Sequence, residues 1–110
     1  MVIIRFRNRS EWFKANWVFR QIATDVTLMA PHDTELKSIM DKAQAFGLLA
    51  FDSMEKNAAV RTLDAIRNVA EKTLEGQIPG WHGGRDGKDN GQRIYLDSLE
   101  ELLNLMKSPD

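Results

Sequence analysis

The sequence predicts an α+β fold that is predominantly α, with about four helices and a short two-stranded β-ribbon in the order β-α-α-α-loop-β-α. Three observations lead to this class. Apolar residues recur at helical spacing through most of the chain. Two short runs, one near each end, are rich in the apolar residues that strands favour. One glycine-rich segment interrupts the helical pattern before the second of these runs.

Length and composition fit a single domain over residues 1–107, followed by a frayed tail at 108–110. Of the 110 residues, 43% are hydrophobic and 28% are charged, as in ordinary globular proteins. The chain has no cysteine, which excludes a disulfide framework and a thiolate metal site. Residues 1–6 lack the long apolar run of a signal peptide, and no stretch is long enough for a membrane span. We therefore expect a cytoplasmic protein with no membrane association.

A short strand and a long helix open the chain. The strand covers residues 2–7, where arginines alternate with apolar residues. Ser10 has the side chain of a helix N-cap, and Glu11 suits the first turn of a helix. The apolar residues that follow recur at helical spacing, so the first helix is predicted to run from Glu11 to Met29, before Pro31.

Two further helices are predicted in the middle of the chain. The second begins at an N-cap, either His32 or Asp33, and carries an apolar stripe as far as Ala50. The third begins at an Asp-x-x-Glu capping box over residues 52–55 and ends at Gly76, which suits the position just after a helix.

Residues 80–92 are predicted to form a mobile, glycine-rich loop. Five glycines and the turn pairs Asp86-Gly87 and Asn90-Gly91 argue against helix there. An additional strand near 77–81 would turn the loop into the tip of a hairpin.

A second strand and a last helix follow this loop. Residues 92–96 resemble a strand, and Asp97 with Glu100 forms a capping box for the final helix. Because a lone strand cannot satisfy its backbone, residues 2–7 and 92–96 are expected to pair as a ribbon. That pairing would bring the arginines of the first strand beside Arg93, where we expect the functional face.

The glycine-rich loop departs from both the calcium and the phosphate patterns. Read as an EF-hand loop from Asp86, it puts Lys88 where an oxygen ligand belongs and Asp97 where glutamate is the rule. Read as a phosphate-binding loop, it has Asp89 after Lys88, where Ser or Thr should bind magnesium. The sequence therefore predicts no metal and no cofactor.

The sequence contains little that points to catalysis. His82 is close in sequence to Asp86 and Asp89, which allows an acid–base dyad. The position of His32 is better explained by the start of a helix. A metal site that combines His32 with His82 would need a tertiary contact that the sequence does not show. An enzyme using His82 and the loop carboxylates is our third hypothesis.

The N-terminal end is basic and rich in aromatic residues. Residues 1–20 contain five cations and a single carboxylate, for a local charge of +4 in a chain of net charge −1. Cations suit phosphate and rings suit unpaired bases, so a nucleic-acid-binding module is the second hypothesis, although a pI of about 6.1 is low for one. Its candidate residues are Arg5, Arg7, Arg9, Lys14 and Arg20.

Protein binding is the leading hypothesis. Tryptophan and arginine are favoured at interfaces, and a binding surface needs no catalytic motif. Phe13 and Trp17 lie on the flank of the first predicted helix, and Trp81 either fills the core or anchors a partner. We expect a small non-enzymatic accessory domain, similar in kind to antitoxin, immunity, inhibitor or adaptor proteins. Its partner is another protein, and homo-oligomerisation is also open. The candidate binding residues are Trp81, His82, Arg85, Lys88, Arg93, Phe13 and Trp17.

Overall fold

The structure is a computed structural model that describes residues 1–7, 9–75 and 88–107, with the backbone alone for residues 88–92 and 107. Within these ranges the chain forms four α-helices, three β-strands and one 3₁₀-helix, which confirms the predicted α+β, predominantly helical class. In chain order the elements are β1 Val2–Arg5, β2 Glu11–Lys14, α1 Asn16–Met29, α2 Thr34–Phe46, β3 Leu48–Ala50, the 3₁₀-helix Phe51–Ser53, α3 Lys56–Leu74 and α4 Lys88–Lys107.

The three strands form one sheet with β1 at its centre, in the order β2-β1-β3. β1 and β2 are an antiparallel hairpin, in which Ile3 lies opposite Phe13 and Ile4 opposite Trp12. β3 returns to the other side of β1 after two helices and runs parallel to it, with Ile3 opposite Leu48. One face of the sheet is covered by helices and contributes buried residues from all three strands.

The predicted ribbon between residues 2–7 and 92–96 is wrong, because residues 92–96 belong to α4. Asp97 is inside that helix rather than at its N-cap, and Asn90 and Gly91 are helical rather than a turn. A glycine inside a helix costs only about 1 kcal/mol. Tyr95, Leu99 and Leu102 recur at helical spacing and are fully buried, which outweighs that cost.

The first helix begins later than predicted. Glu11–Lys14 is a strand rather than the first turn of a helix, so Ser10 is not the N-cap and α1 starts at Asn16. Trp12 is buried and its neighbour Phe13 exposed, which is the alternation of a strand. Pairing with β1 satisfies the backbone groups of β2 that face β1, which decides the conformation of this stretch. The predicted end of the helix at Met29 is confirmed.

The second helix begins as predicted and ends early. The Asp33 carboxylate caps α2 by accepting from the backbone N–H of Leu36 at 3.0 Å. Gly47 ends the helix in the left-handed region, with φ 71°, so the predicted apolar stripe does not continue to Ala50. A Cβ at Gly47 would lie 3.1 Å from the carbonyl oxygen of Met1, which also favours glycine where the chain turns into β3.

α3 lies close to its predicted position. Its N-cap is Glu55, whose carboxylate accepts from the N–H of Asn57, rather than the predicted Asp52. The predicted glycine after this helix, Gly76, lies outside the described residues, as do residues 77–81.

The hydrophobic core lies between the sheet and the helices. β2 contacts α4, α4 packs on α3, and α3 packs on α1. The largest fully buried side chains are Trp12, Tyr95, Phe19, Ile4, Ile22, Met40, Ile66, Leu99, Leu102, Val18, Val26 and Val69.

The hairpin between β1 and β2 holds a residue in an unfavourable backbone conformation. Arg9 has φ 72°, a region that costs a residue with a side chain about 1–2 kcal/mol, whereas glycine loses only about 0.5–1 kcal/mol more chain entropy on folding. We expect Arg9→Gly to raise the free energy of unfolding by about 0.5–1 kcal/mol in urea titrations. Arg9→Ala keeps a Cβ and should bring no increase. An equal rise in both variants would contradict this account.

Candidate binding surface on the outer face of the sheet

The face of the sheet that points away from the helices carries a row of three apolar side chains. Val2 and Ile4 are buried on the inner face, so the alternation of strands places Ile3 on the outer one. Phe13 and Leu48 are its direct neighbours in β2 and β3. Phe13 is 53% exposed and Leu48 37% exposed. We call Phe13, Ile3 and Leu48 the outer row.

Two of the three residues in the next row on the same face are charged. Arg5 lies opposite Glu11 in β2 and Ala50 in β3. The Nε of Arg5 donates to both carboxylate oxygens of Asp52, at 2.9 and 3.1 Å. The outer row therefore has a charged border on one side, as the polar rim of a protein interface does.

Two exposed apolar residues lie at the other end of the sheet. Met1 precedes β1 and is 69% exposed, and Phe46 ends α2 and is 79% exposed. The backbone links this end to the outer row, because the N–H of Ile3 donates to the carbonyl of Gly47 at 2.9 Å. Met1 and Phe46 therefore add exposed apolar surface next to the starts of β1 and β3.

The edge strand β2 is held firmly from the inner side. Trp12 is fully buried, and its indole N–H donates to the backbone carbonyl of Ser98 in α4 at 3.0 Å. The ammonium of Lys14 lies 2.8 Å from a carboxylate oxygen of Glu101, also in α4. Phe13, between these two residues, is thus presented outward on a fixed strand.

Phe13 and Trp17 do not share one helix flank as the sequence suggested. Phe13 is in β2 and faces outward from the sheet. Trp17 is in α1, half-buried, with its ring centroid 6.4 Å from that of Tyr95 in α4. Of the two, Phe13 presents the more accessible aromatic surface.

Of the other predicted binding residues, the structure describes Arg93 and the backbone of Lys88, and both belong to α4 rather than to the sheet. Arg93 is exposed on α4, and the backbone of Lys88 is helical. Trp81, His82 and Arg85 lie outside the described residues, and with them the proposed His82 dyad. The N-terminal arginines were expected beside Arg93 because residues 2–7 and 92–96 were predicted to pair. Residues 92–96 are helical, so nothing supports that expectation.

The five N-terminal cations divide into two groups. Arg5 and Lys14 are neutralised by Asp52 and Glu101. Arg7, Arg9 and Arg20 are exposed and form no ion pair with any residue that the structure describes. The basic end is therefore less strongly charged than a count of its arginines and lysines indicates.

Ile3 and Leu48 were not among the binding residues predicted from the sequence. The sequence placed Ile3 in a strand but gave that strand the wrong partner, and it placed Leu48 in a helix. The signal that was present is Gly47, which can end a helix in the left-handed conformation and start the chain in a new direction.

A buried polar pair holds α4 against α1. Asp25 in α1 is 1% exposed, and the hydroxyl of Tyr95 donates to its carboxylate at 3.5 Å. Gln21 donates to the other carboxylate oxygen at 3.4 Å. Such a pair, closed off from solvent, favours one packing of the two helices over others.

The acid–base behaviour of Tyr95 gives a pH prediction. Burial first, and then the carboxylate of Asp25, raise the pKa of Tyr95 well above its usual value near 10. Above pH about 10 the unfolded chain loses a proton that the folded chain keeps, so stability falls as pH rises, by up to about 1.4 kcal/mol per pH unit. We expect urea titrations at alkaline pH to show this fall in the free energy of unfolding. The Tyr95→Phe variant should show a smaller fall, because it lacks the contribution of the Tyr95 hydroxyl. Tyr95 is the sole tyrosine, so tyrosinate absorbance reports its pKa directly. Ionisation near pH 10 in the folded state would contradict the burial.

Within the part of the chain that the structure describes, no group of three or more histidine, aspartate or glutamate side chains is placed to hold a metal ion. None of the described helices is both long and apolar enough to cross a membrane. Comparison with family models, with characterised proteins and with solved structures gives no match to this chain.

Proposed function

We propose that this chain is a small, non-enzymatic, cytoplasmic accessory domain, of the antitoxin, immunity, inhibitor or adaptor kind, and that it binds another protein through the outer row. The observation that carries the proposal is that Phe13, Ile3 and Leu48 lie side by side on three neighbouring strands, on the face that the helices leave uncovered. Contiguous exposed apolar surface with a polar border is typical of protein interaction sites.

The anchoring of β2 supports this proposal. An aromatic side chain on a fixed strand loses little conformational freedom when a partner covers it, and this reduces the entropic cost of binding. Trp12 and Lys14 hold the strand on either side of Phe13. Phe13 is therefore the residue that we assign as the main anchor of the interface.

Nucleic-acid binding is the less favoured function. Two of the five N-terminal cations are already paired with carboxylates, and the outer row offers one aromatic ring beside two aliphatic side chains. Stacking on unpaired bases usually uses several aromatic side chains along a basic groove. An apolar row is better matched by an apolar patch on a protein.

A photoreactive amino acid at position 13 tests the proposal in the native cell. We expect p-benzoylphenylalanine at Phe13 to form a covalent adduct with one protein, which mass spectrometry identifies. The same group at Leu28, an exposed apolar residue of α1, is the control and should form no such adduct. No adduct at position 13, equal adducts at both positions, an adduct with a second copy of this chain, or an adduct that nuclease removes would each contradict it.

A further inference from the structure

A small apolar pocket opens beside the β1–β2 hairpin, away from the outer row. Its volume is about 70 Å³, roughly the room of two water-sized groups. Residues from the hairpin, the 3₁₀-helix, α3 and the last turns of α4 surround it. Those that line it are Phe6, Arg7, Phe51, Ala59, Val60, Leu63, Leu105 and Met106.

Aromatic and aliphatic side chains form most of the pocket wall, and Arg7 adds one charged side chain. The rings of Phe6 and Phe51 are stacked, with centroids 5.8 Å apart, and both side chains are buried. Ala59 is buried and small, which leaves the space unfilled, whereas Val60 is 51% exposed at the opening. A pocket of this size accepts the two methyl groups at the end of one branched aliphatic side chain such as leucine, with the rest of that side chain at the opening.

The charge next to the pocket is positive. Arg7 lines it, and Arg9 follows two residues later in the hairpin; both are exposed and form no ion pair with the residues that the structure describes. Three of the described carboxylates near the lining residues in sequence have partners. Asp52 pairs with Arg5, Asp64 pairs with Arg67, and Glu55 accepts from the N–H of Asn57.

From this juxtaposition we infer that the pocket binds a short segment of a partner protein in which an aliphatic side chain is flanked by carboxylates. The aliphatic group enters between Phe51, Ala59 and Leu63, and a flanking carboxylate pairs with Arg7. Guanidinium and carboxylate groups form charge-assisted, bidentate hydrogen bonds, which would orient the segment over the opening. This inference does not depend on the outer row, which lies on the other face of the sheet.

Titration of the full, isotope-labelled chain with synthetic peptides, followed by NMR, tests the inference. We expect a peptide with a central Asp-Leu-Asp to shift the signals of Arg7, Val60 and Leu63. Peptides with Lys-Leu-Lys or Asp-Ser-Asp at the centre should leave them in place. Equal shifts with the lysine peptide, no shift with the aspartate peptide, or shifts of Arg7 by an oligonucleotide that leave Val60 unmoved would overturn it.

Two variants test separately how much the apolar pocket and the charge of Arg7 contribute to peptide binding. Arg7→Glu changes an exposed side chain and should weaken binding of the Asp-Leu-Asp peptide roughly tenfold or more. Ala59→Val fills the pocket from within, so it should weaken binding at least as much while the melting temperature is kept or raised. If both variants bind the peptide as the parent chain does, the pocket is not the site, and the proposal for the outer row is unaffected.

Discussion

Replacing Trp12 with alanine should remove about 3–5 kcal/mol from the free energy of unfolding, the largest stability loss we expect from a single substitution. Trp12 is fully buried in the core between the sheet and α4. Its loss leaves a cavity and also leaves the carbonyl of Ser98 without the indole N–H that it accepts from. Domains of this kind are stable by only about 5–15 kcal/mol, so the variant should be largely unfolded at modest urea concentrations.

Circular dichroism in urea measures this loss without relying on tryptophan fluorescence. Trp17→Ala is the matched control, because Trp17 is half-buried and should cost clearly less. A Trp12→Ala variant within about 1 kcal/mol of the parent chain would show that β2 does not pack on α4 as described. A larger loss for Trp17→Ala than for Trp12→Ala would contradict the burial of Trp12 and the partial exposure of Trp17.

Replacing Phe13 with threonine should weaken the complex with the partner protein by roughly 30-fold or more, which corresponds to about 2 kcal/mol. Phe13 is 53% exposed, so the loss should fall on binding rather than on folding. Threonine is chosen because it favours strands, which keeps the hairpin with β1 intact. Titration calorimetry with the partner captured by crosslinking provides the dissociation constant.

Leu28→Gln is the control for Phe13→Thr. Leu28 is 67% exposed on α1, outside the sheet, and glutamine is a good helix former. We expect this variant to bind as the parent chain does. If both variants weaken the complex equally, the effect is a general loss of apolar surface. If neither does, Phe13 is not an anchor.

The helical part of the fold could be predicted from the sequence because helix signals are local. The Asp33 carboxylate caps the helix that follows it, and Pro31 lies just after the end of α1. The buried side chains of α3, and Leu99 and Leu102 in the second half of α4, also recur with the helical period that the sequence displays. Each of these features depends on residues within a few positions of one another.

The sheet could not be predicted in the same way because strand partners are distant in sequence. Apolar residues from Trp12 onward fit a helix, and four residues of strand alternation are too few to outweigh that pattern. Only the pairing of Ile3 with Phe13 on one side and Leu48 on the other settles the conformation of these residues. The three residues of the outer row come from three separate stretches of chain, so no local sequence motif predicts it.

At Asn90-Gly91 a local sequence signal led to a wrong prediction. Asparagine and glycine favour turns, and this local preference indicated a loop before a strand. In the structure the helix α4 includes both residues, because Tyr95, Ser98 and Leu99 are buried at helical spacing further along. Tertiary burial here exceeds a local penalty of about 1 kcal/mol.

Hydroxyl-radical footprinting of the purified complex tests most directly whether the outer row is the binding surface. We predict that Phe13 and Leu48 are oxidised in the free chain and protected in the complex, while Leu28 reacts equally in both. Mass spectrometry of the digested chain provides the rate for each residue. Phe13 reacting as fast in the complex as in the free chain would contradict the account, whatever the affinity of the complex.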